Sequence, residues 1–144
     1  MAETDNSFAE KIRDSFARQS VMKLIGAELT RVDPGVIEIS LPYRSDLTQQ
    51  HGYVHAGIVT TIADSACGYA AYTLMPADSE VLSVEFKINL LRPAKGKIFL
   101  AHADVIKPGR TLTVVRADVF ALLGNSGREL IATMQATIMC LRKE

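Results

Sequence analysis

Between Arg44 and Lys87 the chain contains no lysine or arginine, and within Gln49–Tyr72, QQHGYVHAGIVTTIADSACGYAAY, the only formal charge is Asp64. A carboxylate set among small and apolar residues, with no cation near it in sequence, is costly to bury, so its presence asks for a chemical reason. Other absences narrow the class of protein. The two cysteines, Cys67 and Cys140, lack C-x-x-C spacing and sit among apolar residues, which argues for buried thiols in a reducing compartment over a disulfide framework. Lys+Arg and Asp+Glu are equal at 16 each, so no basic groove is expected and nucleic acid is not an indicated partner. There is no G-x-S-x-G, which leaves a serine-hydrolase reading without support. The first residues, MAETDNSF, are acidic where an export signal would be basic and then apolar, so the cytoplasm is the expected location. Gly57–Ala77 approaches a membrane-spanning length, but a central aspartate costs about 2.5–3.5 kcal/mol on insertion, and the Thr and Ser residues and Pro76 add to the case against it. The stretch is read as a buried helix, with no membrane partner.

What is present fits one domain over residues 1–144, with 48% hydrophobic residues and no repeats, low-complexity tracts or linkers. Ser7 and Glu10 form a capping-box pattern, followed by Phe8, Ile12 and Phe16 at helical spacing, which predicts a short helix over about 7–19. Strand-like runs at Leu24–Val32 and Val36–Leu41 flank the turn tripeptide Asp33-Pro34-Gly35 and predict a hairpin. Gly57 to about Leu74 is alanine-rich and apolar nearly all round, which predicts a buried helix whose small residues let a curved sheet approach closely. From Leu82 to Leu90 the pattern alternates, predicting a half-buried strand. Three further strand-like segments, Lys97–Ile106, Thr111–Leu123 and Glu129–Leu141, are separated by Pro108-Gly109 and by Gly124-Asn125-Ser126-Gly127, so the last four strands are expected to form an antiparallel meander. One helix covers only part of one sheet face, which invites a second subunit.

The order of elements, with Gln49, Gly52-Tyr53-Val54-His55-Ala56-Gly57, Ala63-Asp64 and Ser83-Val84-Glu85, resembles the hotdog-fold acyl-CoA thioesterases of the phenylacetate-pathway-like branch. That branch shows an Asn or Gln, then Gly-x-x-His-Gly-Gly, then a helical Ala-Asp, and the similarity runs from about Ile25 to Leu141. The resemblance implies an α+β fold in which an antiparallel sheet of about six strands wraps one long helix. It implies a homodimer or homotetramer with a continuous sheet, active sites at the subunit interface, an acyl-CoA substrate and no cofactor or metal. Asp64 takes the place of the nucleophile or general base, Ala56 that of the backbone donor to the thioester oxygen, and Gln49 that of the group placing carbonyl or water. Ser83 would orient the water or the acid, with Gln49, His55 and Ala56 from one subunit and Asp64 and Ser83 from the other. The departure is Ala56, where the branch has the first Gly of His-Gly-Gly. An L-residue serves if its torsions allow; otherwise the donor role passes to Gly57.

The chemistry suits these residue types. A thioester leaving group is already fairly acidic, with a thiol pKa near ~8.5, so one carboxylate and oxyanion donors suffice. Helix N-terminal N–H groups, here those of Ala56 and Gly57, lack internal partners and carry partial positive charge. His51 and His55 stand four apart, but Gly52 and the loop-like context argue against a metal pair, and His55 is read as ordering the loop through a backbone hydrogen bond. His102 is read as a strand-face residue. Arg92, Lys107 and Arg110, near strand ends, are candidates for coenzyme A phosphates, as are Lys87 and Lys95, although such residues are commonly solvated surface charges. Tyr69, Tyr72 and Phe86 either line a pocket or fill core. The competing readings are a non-catalytic acyl-CoA-binding or sensing module, and an enoyl hydratase, which needs an acid–histidine pair at different spacing.

Overall fold

The computed structural model describes residues 6–124 and 127–142. Helix α1 (Ser7–Arg18) buries Ile12 completely and packs Phe16 on the core, as its apolar stripe requires. The capping box does not form. Asn6 holds the N-cap position without a side-chain bond, its carbonyl accepting from the N–H groups of Ala9 and Glu10, so Ser7 is already helical. The strand expected from Leu24 begins only at Glu28, because Ser20–Ile25 forms a second short helix, α2. Met22 and Ile25, three apart, are buried while Val21 and Leu24 are exposed, a helical rather than alternating pattern, and Gly26 ends the helix at φ 79°.

Strands β1 (Glu28–Asp33) and β2 (Val36–Pro42) form the expected hairpin, turning through Gly35 at φ 73°. A 3-10 turn at Ser45–Leu47 leads through a loop into helix α3 (Ala56–Tyr72). There follow β3 (Ser79–Leu90), β4 (Ile98–Lys107), β5 (Leu112–Leu122) and β6 (Arg128–Arg142). Of the turn read between β5 and β6, Asn125 and Ser126 lie outside the described residues. All pairings are antiparallel, in the order β1-β2-β4-β5-β6-β3. The meander therefore has three strands, β4–β5–β6, not four. The Leu91–Lys97 segment, with Pro93 and Gly96, is too long for a tight hairpin and carries the chain back past β6 and β5, leaving β3 at the sheet edge.

The inner face of the sheet is laid against α3. Across it, Ile39, Ala101 and Val119 are in register, as are Ile37, Ala103 and Ala117, and all six are fully buried. Ala63, Ala66, Cys67, Ala70 and Ala71 of the helix are equally buried, so small side chains meet small side chains and the backbones approach closely. Among the described residues no helix is long and apolar enough to cross a membrane.

Strand β3 is not half-buried. Leu82, Val84, Phe86 and Leu90 are each about half exposed, and the single apolar face expected of them is interrupted by a bulge between Ser83 and Glu85. Ser83 pairs with buried Ile138 and Phe86 with buried Ala136, so both face the helix, whereas Leu82, opposite Met139, faces outward. One extra residue changes the phase of the strand and aims Ser83 at α3.

The C-terminal end of α3 is tied to the first hairpin. Buried Thr73 donates to the carbonyl of Ala70 and accepts from the N–H of buried Gly35 at 2.7 Å. Thr73→Val keeps the shape and orphans that N–H, so urea denaturation should show a loss of about 1–3 kcal/mol without a change in fold.

Candidate active site

Two hollows lie along α3, one at its N-terminal end and one beside its middle and C-terminal half. The first, about 420 Å³, is bounded by Gln49, Tyr53, Ala56, Val59, Leu90 and Arg92 with neighbouring apolar residues. Its polar part is built by the loop before the helix. Gln49 Oε1 accepts from the N–H groups of His51 (2.6 Å) and Tyr53 (3.2 Å), and the Gln49 N–H donates to the Tyr53 carbonyl. Two N–H donors on one atom fix it as the amide oxygen, so the group Gln49 has left to offer is its donor, Nε2.

His55 is the N-cap of α3, and its Nδ1 accepts from the Gly57 N–H at 2.8 Å. The imidazole lies so close that a Cβ on Gly57 would sit 3.0 Å from Nδ1. Glycine at position 57 thus admits the histidine cap without crowding, and any other residue would push the ring aside. Ala56 is the first residue of the helix, and no non-glycine among the described residues has positive φ, so an L-residue is unstrained there. No hydrogen bond engages the Ala56 N–H among the described residues. Of the two backbone donors read from the sequence, Gly57 is occupied and Ala56 is available.

The second hollow, about 230 Å³, holds Asp64 and Ser83 together with Ser15, Gln19, Gly68 and Tyr69 among others. The Ser83 hydroxyl donates to Asp64 Oδ1 at 2.8 Å, which the β3 bulge makes possible. Asp64 is half-buried and Ser83 exposed in the single chain. Cys67, on the next turn, is fully buried, and burial, with the negative Asp64 nearby, pushes its thiol well above the usual range. A thiol held protonated in this way is no nucleophile.

Asp64 stands eight residues after Ala56, which at about 1.5 Å per residue is about 12 Å along the helix axis. The two halves named in the sequence therefore do not meet within one chain. His51 is exposed in the loop, and His102 lies on β4 beside Asp104 (2.9 Å), so neither reaches either hollow. Among the described residues no group of three His, Cys, Asp or Glu is arranged to hold a metal. Of the basic residues singled out, Arg92 lines the Ala56 hollow and pairs with Glu129 at 3.4 Å; Lys107 and Arg110 stand around the β4–β5 turn, and Lys87 faces outward opposite Gln135. Tyr69 and Tyr72 are buried against α1, with Tyr69 bordering the Asp64 hollow. The residues that the sequence did not mark are Ser15, Gln19 and Ser65. Their link to the site is a contact of α1 and the α1–α2 junction with α3 that no local pattern encodes.

Residues 51–126 match the family model of the thioesterase superfamily, and the chain belongs to that family. It has the hotdog architecture. A thioesterase family protein from Silicibacter pomeroyi has 53% identity, with 94% of this chain and 99% of that chain covered and a TM-score of 0.92. A 1,4-dihydroxy-2-naphthoyl-CoA hydrolase from Listeria monocytogenes is 26% identical over 65% of this chain and 76% of its own length. The PaaI protein of the E. coli phenylacetic acid degradation operon shares the fold, with a TM-score of 0.84 at 16% identity over 99% of this chain and 97% of that chain.

The cap geometry separates the two neighbouring positions. Gly57→Ala should displace the His55 ring and cost about 0.5–2 kcal/mol, the range of a lost N-cap, whereas Ala56→Gly should cost no more than about 1 kcal/mol of helix propensity. Thermal melts of the pair, with the His55 ring signals followed by NMR, measure the difference.

Proposed function

We propose that the protein hydrolyses an acyl-CoA thioester to the free acid and coenzyme A, at a site formed between two copies of the chain. The observation that carries this is the pairing on one helix of an unengaged N–H at Ala56 with a serine-bonded carboxylate at Asp64, too far apart to serve one carbonyl in cis. A reacting carbonyl must lie within about 3 Å of both its oxyanion donor and its attacking group. The exposed edge of β3, with Phe86 and Leu90 on the helix side of the sheet, is the natural seat of the second copy. Antiparallel pairing of two β3 edges continues the sheet and brings the Ala56 end of one helix toward Asp64 of the other.

In this reading the Ala56 N–H binds the thioester oxygen and stabilises the tetrahedral oxyanion, helped by the helix dipole. Gln49 Nε2 donates to the carbonyl or to the water. Ser83 holds Oδ1 of Asp64, leaving Oδ2 to take a proton from water or to attack the carbonyl itself. The thiolate departs without a strong general acid. Arg92 lies on the Ala56 side, where coenzyme A phosphates would run. No histidine lines the Asp64 hollow among the described residues, so the acid–histidine pair of a hydratase has no counterpart there.

Asp64→Ala should lower kcat by about 10²–10⁴ in a thiol-release assay across an acyl-CoA panel; unchanged rates would sink the assignment. Ala56→Pro removes the N–H at the one helical position where proline is favoured, and the extended torsions of His55 (φ −59°, ψ 138°) suit a residue before proline. It should fold and lose about 10²–10³ in rate. Refolding the two inactive variants together should restore about a quarter of wild-type activity, since half the dimers are mixed and each has one intact site. A cis site would restore none.

A further inference from the structure

Gly68 stands one turn after Asp64 on α3 and is buried, yet a Cβ added to it would meet no atom within 4 Å. Glycine is the least favourable residue for a helix interior after proline, and the usual reason for tolerating it, another element packed against its backbone, is absent here. What lies over it is the hollow of about 230 Å³ that holds Asp64 and Ser83. About 150 Å³ is enough for a benzene-sized group. The space thus suits a compact acyl group and not an extended chain.

The walls give that space a chemical character. The buried Tyr69 hydroxyl accepts from Gln19 Nε2 at 3.3 Å and shares a hydrogen bond with Ser15 Oγ at 3.2 Å. Gln19 Oε1 in turn accepts from Ser65 Oγ at 2.8 Å, so the α1–α2 junction is latched onto the turn of α3 that carries Asp64. Two carboxylates, Asp64 and Glu80, line the hollow, and among the described residues no lysine or arginine does. A cation, Arg92, lines the other hollow, with Ala56 and Gln49. The phosphates of a coenzyme A ester are repelled from the first and accommodated by the second, which leaves the Gly68 side to the acyl group.

We propose that Gly68 is a specificity-determining residue. It holds open an acyl subsite, closed off by Gln19 and Tyr69, that takes a compact neutral acyl group carrying a hydrogen-bond donor such as a hydroxyl and rejects one ending in a second carboxylate. The inference rests on the thioesterase reading given above.

Acetyl-CoA, too short to reach Gly68, is the internal reference, and butyryl-, 3-hydroxybutyryl- and succinyl-CoA are the test series at constant chain length. For the wild-type protein kcat/KM should be about three- to tenfold higher for the hydroxybutyryl than the butyryl ester, one hydrogen bond's worth. Succinyl-CoA should fall about tenfold or more below butyryl-CoA, and Glu80→Gln should recover part of that loss. Gly68→Ala, which clashes with nothing, should raise Tm while lowering kcat/KM for the four-carbon esters relative to acetyl-CoA, with Gly68→Val doing so more strongly. A merely structural glycine would not produce that split. Gly68 variants that scale every ester by the same factor, or succinyl-CoA cleaved as fast as butyryl-CoA, overturn the subsite. Inertness of all the esters, acetyl-CoA included, is a different outcome that overturns the thioesterase reading and the subsite with it.

Discussion

The close seating of α3 on the sheet is the constraint from which the rest of the molecule follows. Ala63, Ala66, Cys67, Ala70 and Ala71 on the helix face Ala101, Ala103, Ala117 and the aliphatic residues in register with them, so that little side-chain volume separates two backbones. A helix held this near cannot rotate or slide without leaving voids or clashes, which fixes the directions in which its remaining positions point. Asp64 and Gly68, one turn apart, open on the α1–α2 side; the N-terminus opens on the Gln49 loop. The C-terminal end is further secured, by Thr73 to the first hairpin and by Lys11, whose ammonium group donates to the carbonyls of Tyr72, Met75 and Pro76 and lies 4.0 Å from the Tyr72 ring centre. Burial pulls the Lys11 pKa below its ordinary value, a cost set against those three bonds and the ring contact.

The sheet supplies what the helix cannot. A strand of strict alternation beside α3 would present residues 82, 84, 86, 88 and 90 on one face and turn Ser83 away. The bulge at Val84 breaks that alternation once, so that Ser83 and Phe86 both face inward. The same bulge leaves Leu82 and Val84 exposed on a twelve-residue edge strand, an arrangement a solitary chain has no reason to keep. Positioning the hydroxyl and creating a sticky edge are thus consequences of one inserted residue, which links the chemistry of the site to the assembly that would complete it.

Much of this was legible in the sequence. The long helix, five of the six strands nearly to their ends, and the pairing of Gln49, His55, Ala56, Asp64 and Ser83 with one family's pattern follow from periodicity, turn residues and motif spacing. What was not legible has a common physical cause, the reliance of short elements on distant partners. The Ser20–Ile25 helix is too short to assert a period against the aliphatic run beside it, and its identity is settled by which residues reach the core. The bulge in β3 is invisible because the apolar alternation continues straight through it. The placement of β3 next to β6 instead of β4 depends on a connection too long for a tight hairpin, whose route across the sheet no local pattern marks. The Gln19–Tyr69–Ser65 latch joins residues 46 and 50 positions apart, beyond any local pattern.

The question raised by alanine in place of glycine has a physical resolution in the division of labour at the helix start. An α-helix begins with several N–H groups that no carbonyl of its own can satisfy. In this chain the second of them, at Gly57, is spent on structure: it anchors the His55 ring, and the ring's proximity means that a side chain at that position would press on it. The first, at Ala56, has no such neighbour and ordinary helical torsions, so a methyl group there is harmless. The two positions of the glycine pair therefore differ sterically, and the crowding that favours glycine falls on position 57. By capping its neighbour, the histidine consumes one donor and leaves the other, the Ala56 N–H, unengaged beside the Gln49 hollow. The arrangement leaves the Ala56 N–H open to a ligand while the Gly57 N–H stays with the histidine.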